Sequence, residues 1–136
     1  QALVVTSYSN PLDTLSINAL GSANILDAIR LINKQVLVIM ITSDKAYDNV
    51  EWPWGYRETD RLGGKDPYSA SKGMAELAIR SYIESFFNKK DSNVRVVIVR
   101  AGNVIGGGVF VGAVYWSSPF LNRTAPVTPV RQARPS

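Results

Sequence analysis

The sequence predicts an α/β fold built on a doubly wound parallel sheet, entered in the order helix, strand, helix, strand. Two observations predict it. Two short apolar runs rich in β-branched residues, VLVIMI at 36–41 and VRVVIV at 94–99, suit parallel strands covered on both faces. One helical pattern precedes the first run and another lies between the two, so a helical crossover joins the strands.

The first helix is expected to start at Asn10-Pro11-Leu12-Asp13 and to run to about Asn33. The Asn10 side chain can accept from amides of the first turn, Pro11 suits the first helical position, and Asp13 suits the positive end of the helix dipole. Leu12, Leu15, Ala19, Ala23 and Leu26 form one apolar stripe, and Ile17, Leu20, Ile25 and Ala28 a second. Two stripes imply burial on two sides, against a sheet and against another subunit. The second helix takes Asp66 as its N-cap and Pro67 as its first residue, with Ala75, Ala78, Ile79, Tyr82 and Phe86 at helical spacing.

Residues 1–108 thus read as one unit and residues 109–136 as an irregular tail. The tail carries four of the seven prolines and no useful helical or strand period. It also explains the charge. Of the net +4, the tail contributes three arginines and no acid, leaving 12 basic against 11 acidic residues in the body. So local a basicity does not point to a nucleic acid. No apolar run approaches the roughly 20 residues of a membrane helix, so no membrane partner is expected. The chain opens on QALVV, as though cut from something longer.

Histidine and cysteine are both absent. That excludes thiol nucleophiles, disulfides, Ser-His-Asp triads and most zinc sites, and leaves acid–base work to carboxylates, lysine and tyrosine. In an open parallel sheet, sites gather at the carboxyl ends of the strands. There the first run leads into Thr42-Ser43-Asp44-Lys45 and the second into Arg100-Ala101-Gly102-Asn103, while Tyr68 and Lys72 open the helix between them. A tyrosine hydroxyl titrates near 10, too high for a base at neutral pH. A lysine one turn on can favour the phenolate, and Ser43 can hydrogen-bond the same reacting oxygen. Taken alone, the Tyr-x-x-x-Lys spacing fits two surface residues on a shared face equally well.

These stretches resemble the extended short-chain dehydrogenase/reductase superfamily, and closely its CDP-glucose 4,6-dehydratase family. The resemblance runs through SINALGSANILDAIR, ITSDKAYDNVEWPWGYRETDRLGGKDPYSASKGMAEL and VRVVIVRAGNVIGGG, covering residues 1–108. It implies a Rossmann-like sheet lacking its N-terminal strands, NAD as cofactor, CDP-glucose or a related sugar nucleotide as substrate, and a cytoplasmic protein. It implies a homodimer through the 11–33 and 67–87 helices. Asn18, Ser43, Tyr68 and Lys72 match the superfamily tetrad: Tyr68 as base toward the sugar 4-hydroxyl, Lys72 holding the nicotinamide ribose and lowering the Tyr68 pKa, Ser43 at the 4-oxygen. Asp44 and Lys45 match the pair that eliminates water across C5 and C6, after C4 oxidation and before hydride returns to C6. Lys45, where dTDP-glucose dehydratases carry glutamate, favours the CDP-sugar branch, and a lysine base requires a pKa well below 10.4. Gln1 and Ala2 match positions beside the nicotinamide and substrate, Ala101 a cofactor position, and Asn103 a diphosphate contact. Trp52, Trp54 and Tyr56 fall in the loop near the substrate.

The sequence departs from that pattern in three places. No G-x-x-G-x-x-G fingerprint is present, so no backbone cradle for the adenosine half of NAD is expected. From Val109 the text ceases to match, as a reading-frame shift near Gly108 would produce. Val5-Thr6 replaces a basic pair. Two alternatives stay open: another sugar-nucleotide epimerase or dehydratase of the superfamily, and a non-catalytic dimerising α/β fragment.

Overall fold

The computed structural model describes residues 1–102 and the backbone of residues 114–117. A short helix not expected from the sequence, α1 (Val4–Ser9), comes first. The long first helix is present but interrupted: α2 (Pro11–Leu15) runs through a π turn at Ser16–Leu20 into α3 (Gly21–Arg30). The π turn is closed by the Gly21 amide reaching back five residues to the Ser16 carbonyl. Pro11 and Asp13 stand in the first turn as expected, but the Asn10 side chain caps nothing. Asn10 also ends α1, its N–H bonded to the Thr6 carbonyl, and its own carbonyl accepts from the Thr14 amide and hydroxyl. A residue shared between two helices is committed through its backbone.

The two strands run parallel as expected. β1 (Val36–Ser43) and β2 (Val94–Ala101) pair in register from Val36 opposite Val94 to Ser43 opposite Ala101. The tail, expected to be irregular throughout, contributes a strand: β3 (Val114–Ser117) pairs antiparallel with β2. Its Val-Tyr-Trp sequence has high strand propensity, and β2 otherwise has a free edge there. The rest of the tail lies outside the described residues.

Between β1 and β2 the chain forms α4 (Pro67–Tyr82), extended by a second π turn at Ile83–Phe87. The core gathers Leu26, Ile79, Ile83 and Phe87 from the helices with Val38, Val94, Val96 and Ile98 from the sheet. The π turn shifts the helical frame by one residue, so Phe87 enters the core and Phe86 stays exposed. Only one face of β1 is covered among the described residues: Leu37, Ile39 and Ile41 are exposed on the other. The second apolar stripe of the first helix, with Ile17, Leu20 and Ile25, is exposed too.

Two local devices fix the start of α4. Asp66 caps it as expected, accepting from the Ser69 amide at 2.9 Å and the Ser69 hydroxyl at 2.6 Å. Burial acts to raise the Asp66 pKa, but these bonds, the Tyr68 amide and the Lys45 charge together hold it below 3.8. A depressed carboxylate contributes stability above its unfolded pKa and loses it as pH falls through the folded value. Asp66→Ala is therefore expected to cost about 1 kcal/mol at neutral pH and almost nothing once the wild-type carboxylate is protonated, read from urea midpoints across an acid series.

Gly64 is the second device. A Cβ there would lie 2.3 Å from the Ala70 nitrogen and 2.4 Å from the Ser69 carbonyl carbon, both backbone atoms. The loop therefore crosses the first turn of α4 at a distance that admits only glycine. Gly64→Ala is expected to displace that turn and to lower stability by about 1–3 kcal/mol, measured by urea denaturation.

Candidate active site

The carboxyl ends of β1 and β2 and the amino end of α4 meet at one edge of the molecule. Ser43 ends β1 opposite Ala101, which ends β2. The backbone then tightens into a 3₁₀ turn over Asp44–Ala46, which Ser43 caps: its Oγ accepts from the Lys45 amide at 3.2 Å and donates to Asp44 Oδ1 at 3.2 Å. This turn packs against α4, where Gly73 presents no side chain to the Ala46 carbonyl.

Tyr68 and Lys72 project from the first turns of α4, the Lys72 ammonium 5.3 Å from the centre of the Tyr68 ring. Both are half-buried. Burial lowers the Lys72 pKa. Tyr68 moves opposite to the expectation: burial, then the charges of Asp44 and Asp66, push its hydroxyl above 10.0. The reason is geometric. The ammonium stands over the ring face rather than at the oxygen, and two carboxylates outweigh it there. Lys45 is exposed.

Asn18 sits in the π turn and is buried. Its Nδ2 donates to Ser71 Oγ at 2.8 Å and to the Gln1 carbonyl at 3.1 Å, and its Oδ1 accepts from the Gln1 nitrogen at 2.9 Å. Gln1, Asn18, Thr42 and Lys72 line one pocket of about 280 Å³ with Ile17 and Ile41. Two of the tetrad positions, Asn18 and Lys72, thus share a cavity with Gln1, while Ser43 and Tyr68 flank the neighbouring turn. Asn103 lies outside the described residues.

A buried cluster beneath this edge was not foreseen from the sequence. Arg100 is 1% exposed and Glu76 0%. They form a two-pronged ion pair, Nε to Oε1 and NH2 to Oε2, both at 2.9 Å. Arg100 also donates to the Tyr47 hydroxyl at 2.7 Å and the Glu58 carbonyl at 3.2 Å, and Thr42 Oγ1 donates to Glu76. Carboxylate and hydroxyl hold the guanidinium pKa up against its burial. The aromatic loop starts here: Tyr56 stacks on Tyr47 at 4.9 Å, Trp52 lies 5.6 Å from Tyr56, and Trp54 lies 6.1 Å from Trp52. Tyr47 and Tyr56 are therefore packing residues, and the rings become exposed toward Trp54.

Residues 1–100 match the family model described as GDP-mannose 4,6 dehydratase. CDP-glucose 4,6-dehydratase of Salmonella typhimurium LT2 is 49% identical over 111 residues, covering 79% of this chain and 31% of that protein. CDP-paratose 2-epimerase of Salmonella typhi is 28% identical over 125 residues, covering 81% of this chain and 35% of that protein. The chain thus spans about a third of the length of these relatives. Among solved structures, RMD from Pseudomonas aeruginosa complexed with NADPH superposes with a TM-score of 0.66 at 28% identity, over 79% of this chain and 35% of that one. A double mutant of dTDP-glucose 4,6-dehydratase from Streptomyces venezuelae, with NAD and DAU bound, superposes at 0.60 and 19% identity, over 72% and 29%; at that identity the likeness is one of fold. Matched over residues 1–100, the chain belongs to the GDP-mannose 4,6 dehydratase family, within the extended short-chain dehydrogenase/reductase superfamily.

Proposed function

We propose that this chain carries the catalytic edge of an NAD-dependent sugar-nucleotide 4,6-dehydratase acting on CDP-glucose to give CDP-4-keto-6-deoxyglucose. One observation carries the reading: the Ser43-Asp44-Lys45 turn packs against the helix start that holds Tyr68 and Lys72, close enough for Asp44 to shift Tyr68. Redox and elimination groups then face one substrate.

The pocket beside Lys72 suits the nicotinamide-ribose end of NAD. Its lining joins Ile17, Ile25 and Ile41 to the Lys72 ammonium and the polar side chains of Asn18 and Thr42. Ala101 would border the cofactor and Gln1 both cofactor and substrate. NAD, when bound, supplies the acceptor and later the donor of hydride. The chain's own residues manage protons. Tyr68 takes the proton of the sugar 4-hydroxyl while Ser43 Oγ donates to the same oxygen. Lys45 takes the C5 proton, made acidic by the 4-ketone, and Asp44 protonates the departing 6-hydroxyl so that water leaves. Four adjustments are required on substrate binding. The Lys72 ammonium must move from the ring toward the Tyr68 oxygen, and the Ser43 hydroxyl must turn from Asp44 to the sugar oxygen. Asp44 must take up the proton it delivers, and exposed Lys45 must be covered to act as a base. Asn103 would contact the diphosphate.

Two further expectations belong to the same reading. Leu12, Ile17 and Leu20 on the first helix and Met74 and Leu77 on α4 are exposed, which favours a homodimer through these helices. A cytoplasmic location suits a chain with no helix, among the described residues, long and apolar enough to cross a membrane.

The test replaces the matching segment of the Salmonella CDP-glucose 4,6-dehydratase with residues 1–100 and analyses the product from CDP-glucose and NAD. A 4-keto-6-deoxy sugar nucleotide is expected. A CDP-hexose epimer as the product would instead support the epimerase reading.

A further inference from the structure

We propose that Ser71 is a positioning residue for the Tyr68–Lys72 pair, acting through Asn18. The inference rests on the reading of Tyr68 and Lys72 as the catalytic pair. Ser71 lies between them in α4 and is fully buried. Its single hydroxyl proton goes to the Tyr68 carbonyl at 2.6 Å, so toward Asn18 it can only accept, and it accepts from Nδ2 at 2.8 Å. The second Nδ2 proton goes to the Gln1 carbonyl and Oδ1 takes the Gln1 nitrogen. The Asn18 amide therefore has one orientation: turned over, its oxygen would face the Gln1 carbonyl and a hydroxyl whose proton is already committed.

That orientation matters because Asn18 and Lys72 line the same pocket. Lys72 is half-buried, and the buried Asn18 side chain forms part of the wall of the cavity it borders. Without the Ser71 hydroxyl, one Asn18 donor loses its buried partner and the side chain is held only by its two bonds to Gln1. The freed donor then draws water into the pocket next to the ammonium. The backbone of Asn18 need not follow, since the Ser22 hydroxyl holds its carbonyl at 2.7 Å. Ser71 thus sets the surroundings of Lys72, its neighbour in α4, through Asn18 on the facing helix.

The test follows the side-chain titration of Lys72 by NMR in the full 136-residue chain as wild type, Ser71→Ala and Ser71→Thr. The wild-type lysine is expected below 10.5, where burial holds it. Ser71→Ala should move it up toward that value, and Ser71→Thr, which keeps a hydroxyl at the same atom, should leave it in place. Loss of stability alone, with the Lys72 titration unmoved by Ser71→Ala, overturns the proposal; so does a Thr variant that shifts as far as Ala, since volume would then be the cause. Should Ser71→Ala not fold, hydrogen exchange of the Asn18 side-chain amide in the wild type decides. Slow exchange is expected, and exchange at the rate of an exposed amide overturns the proposal. The catalytic reading fails by a different result, undiminished turnover by Tyr68→Phe, which leaves the Lys72 titration to stand or fall separately.

Discussion

Arg100→Ala is expected to lower stability by about 3–5 kcal/mol, enough to unfold much of a domain this small. The Arg100–Glu76 pair joins the end of β2 to the middle of α4, and Thr42 and Tyr47 bind it to the end of β1 and the following loop. Removing the arginine leaves a carboxylate at 0% exposure whose nearest remaining cation among the described residues is Arg80, its Nε 4.0 Å away. Glu76→Ala should cost a similar amount, since it strands the guanidinium. The double variant Glu76→Leu/Arg100→Met, which buries no charge, should recover a large part of the loss. Urea denaturation of the four proteins measures the coupling. Additive losses in the double variant would mean that each residue acts by packing alone.

Tyr68→Phe is expected to lower turnover in the chimeric dehydratase by about 10²–10⁴-fold, the usual contribution of a positioned acid or base. Stability should hardly change, since the Tyr68 hydroxyl has no hydrogen-bond partner among the described residues and the ring remains beneath Lys72. The pH profile carries the sign. Burial, Asp44 and Asp66 keep the proton on Tyr68, so the rate should climb with pH as the phenolate fraction grows. Asp66→Asn, which preserves the capping oxygen but removes one negative charge, should bring the rise to lower pH. A profile unchanged by Asp66→Asn would place the titrating group elsewhere.

Much of this architecture was legible in local sequence. Asp66-Pro67 marks a helix start through contacts within three residues, and the two apolar runs fix a parallel pair whose register aligns Ser43 with Ala101. The π turns were not legible, because a one-residue excess in a helix depends on what its carbonyls meet in the folded chain. That excess exchanged Phe86 for Phe87 and turned the polar Asn18 inward. The Arg100–Glu76 pair was missed although a signal existed. Residues 96, 98 and 100 share one face of β2, so Arg100 points the same way as buried Val96 and Ile98 and needs a buried carboxylate. Glu76, three residues before Ile79 and seven before Ile83, lies on the core face of α4. The Tyr68 pKa failed for another reason: spacing brings Lys72 to the ring, but only three-dimensional placement counts the carboxylates of Asp44 and Asp66.

The most direct test of whether the 44–45 turn and the Tyr68–Lys72 turn serve one reaction is isotope incorporation at C5. The chimera is run with CDP-glucose and NAD in deuterated water, beside its Lys45→Met variant. A 4-keto-6-deoxy product deuterated at C5 is expected from the chimera. Lys45→Met should oxidise C4 and yield no dehydrated product. Dehydration at an undiminished rate by Lys45→Met, with C5 still labelled, would contradict a role for Lys45 as the C5 base.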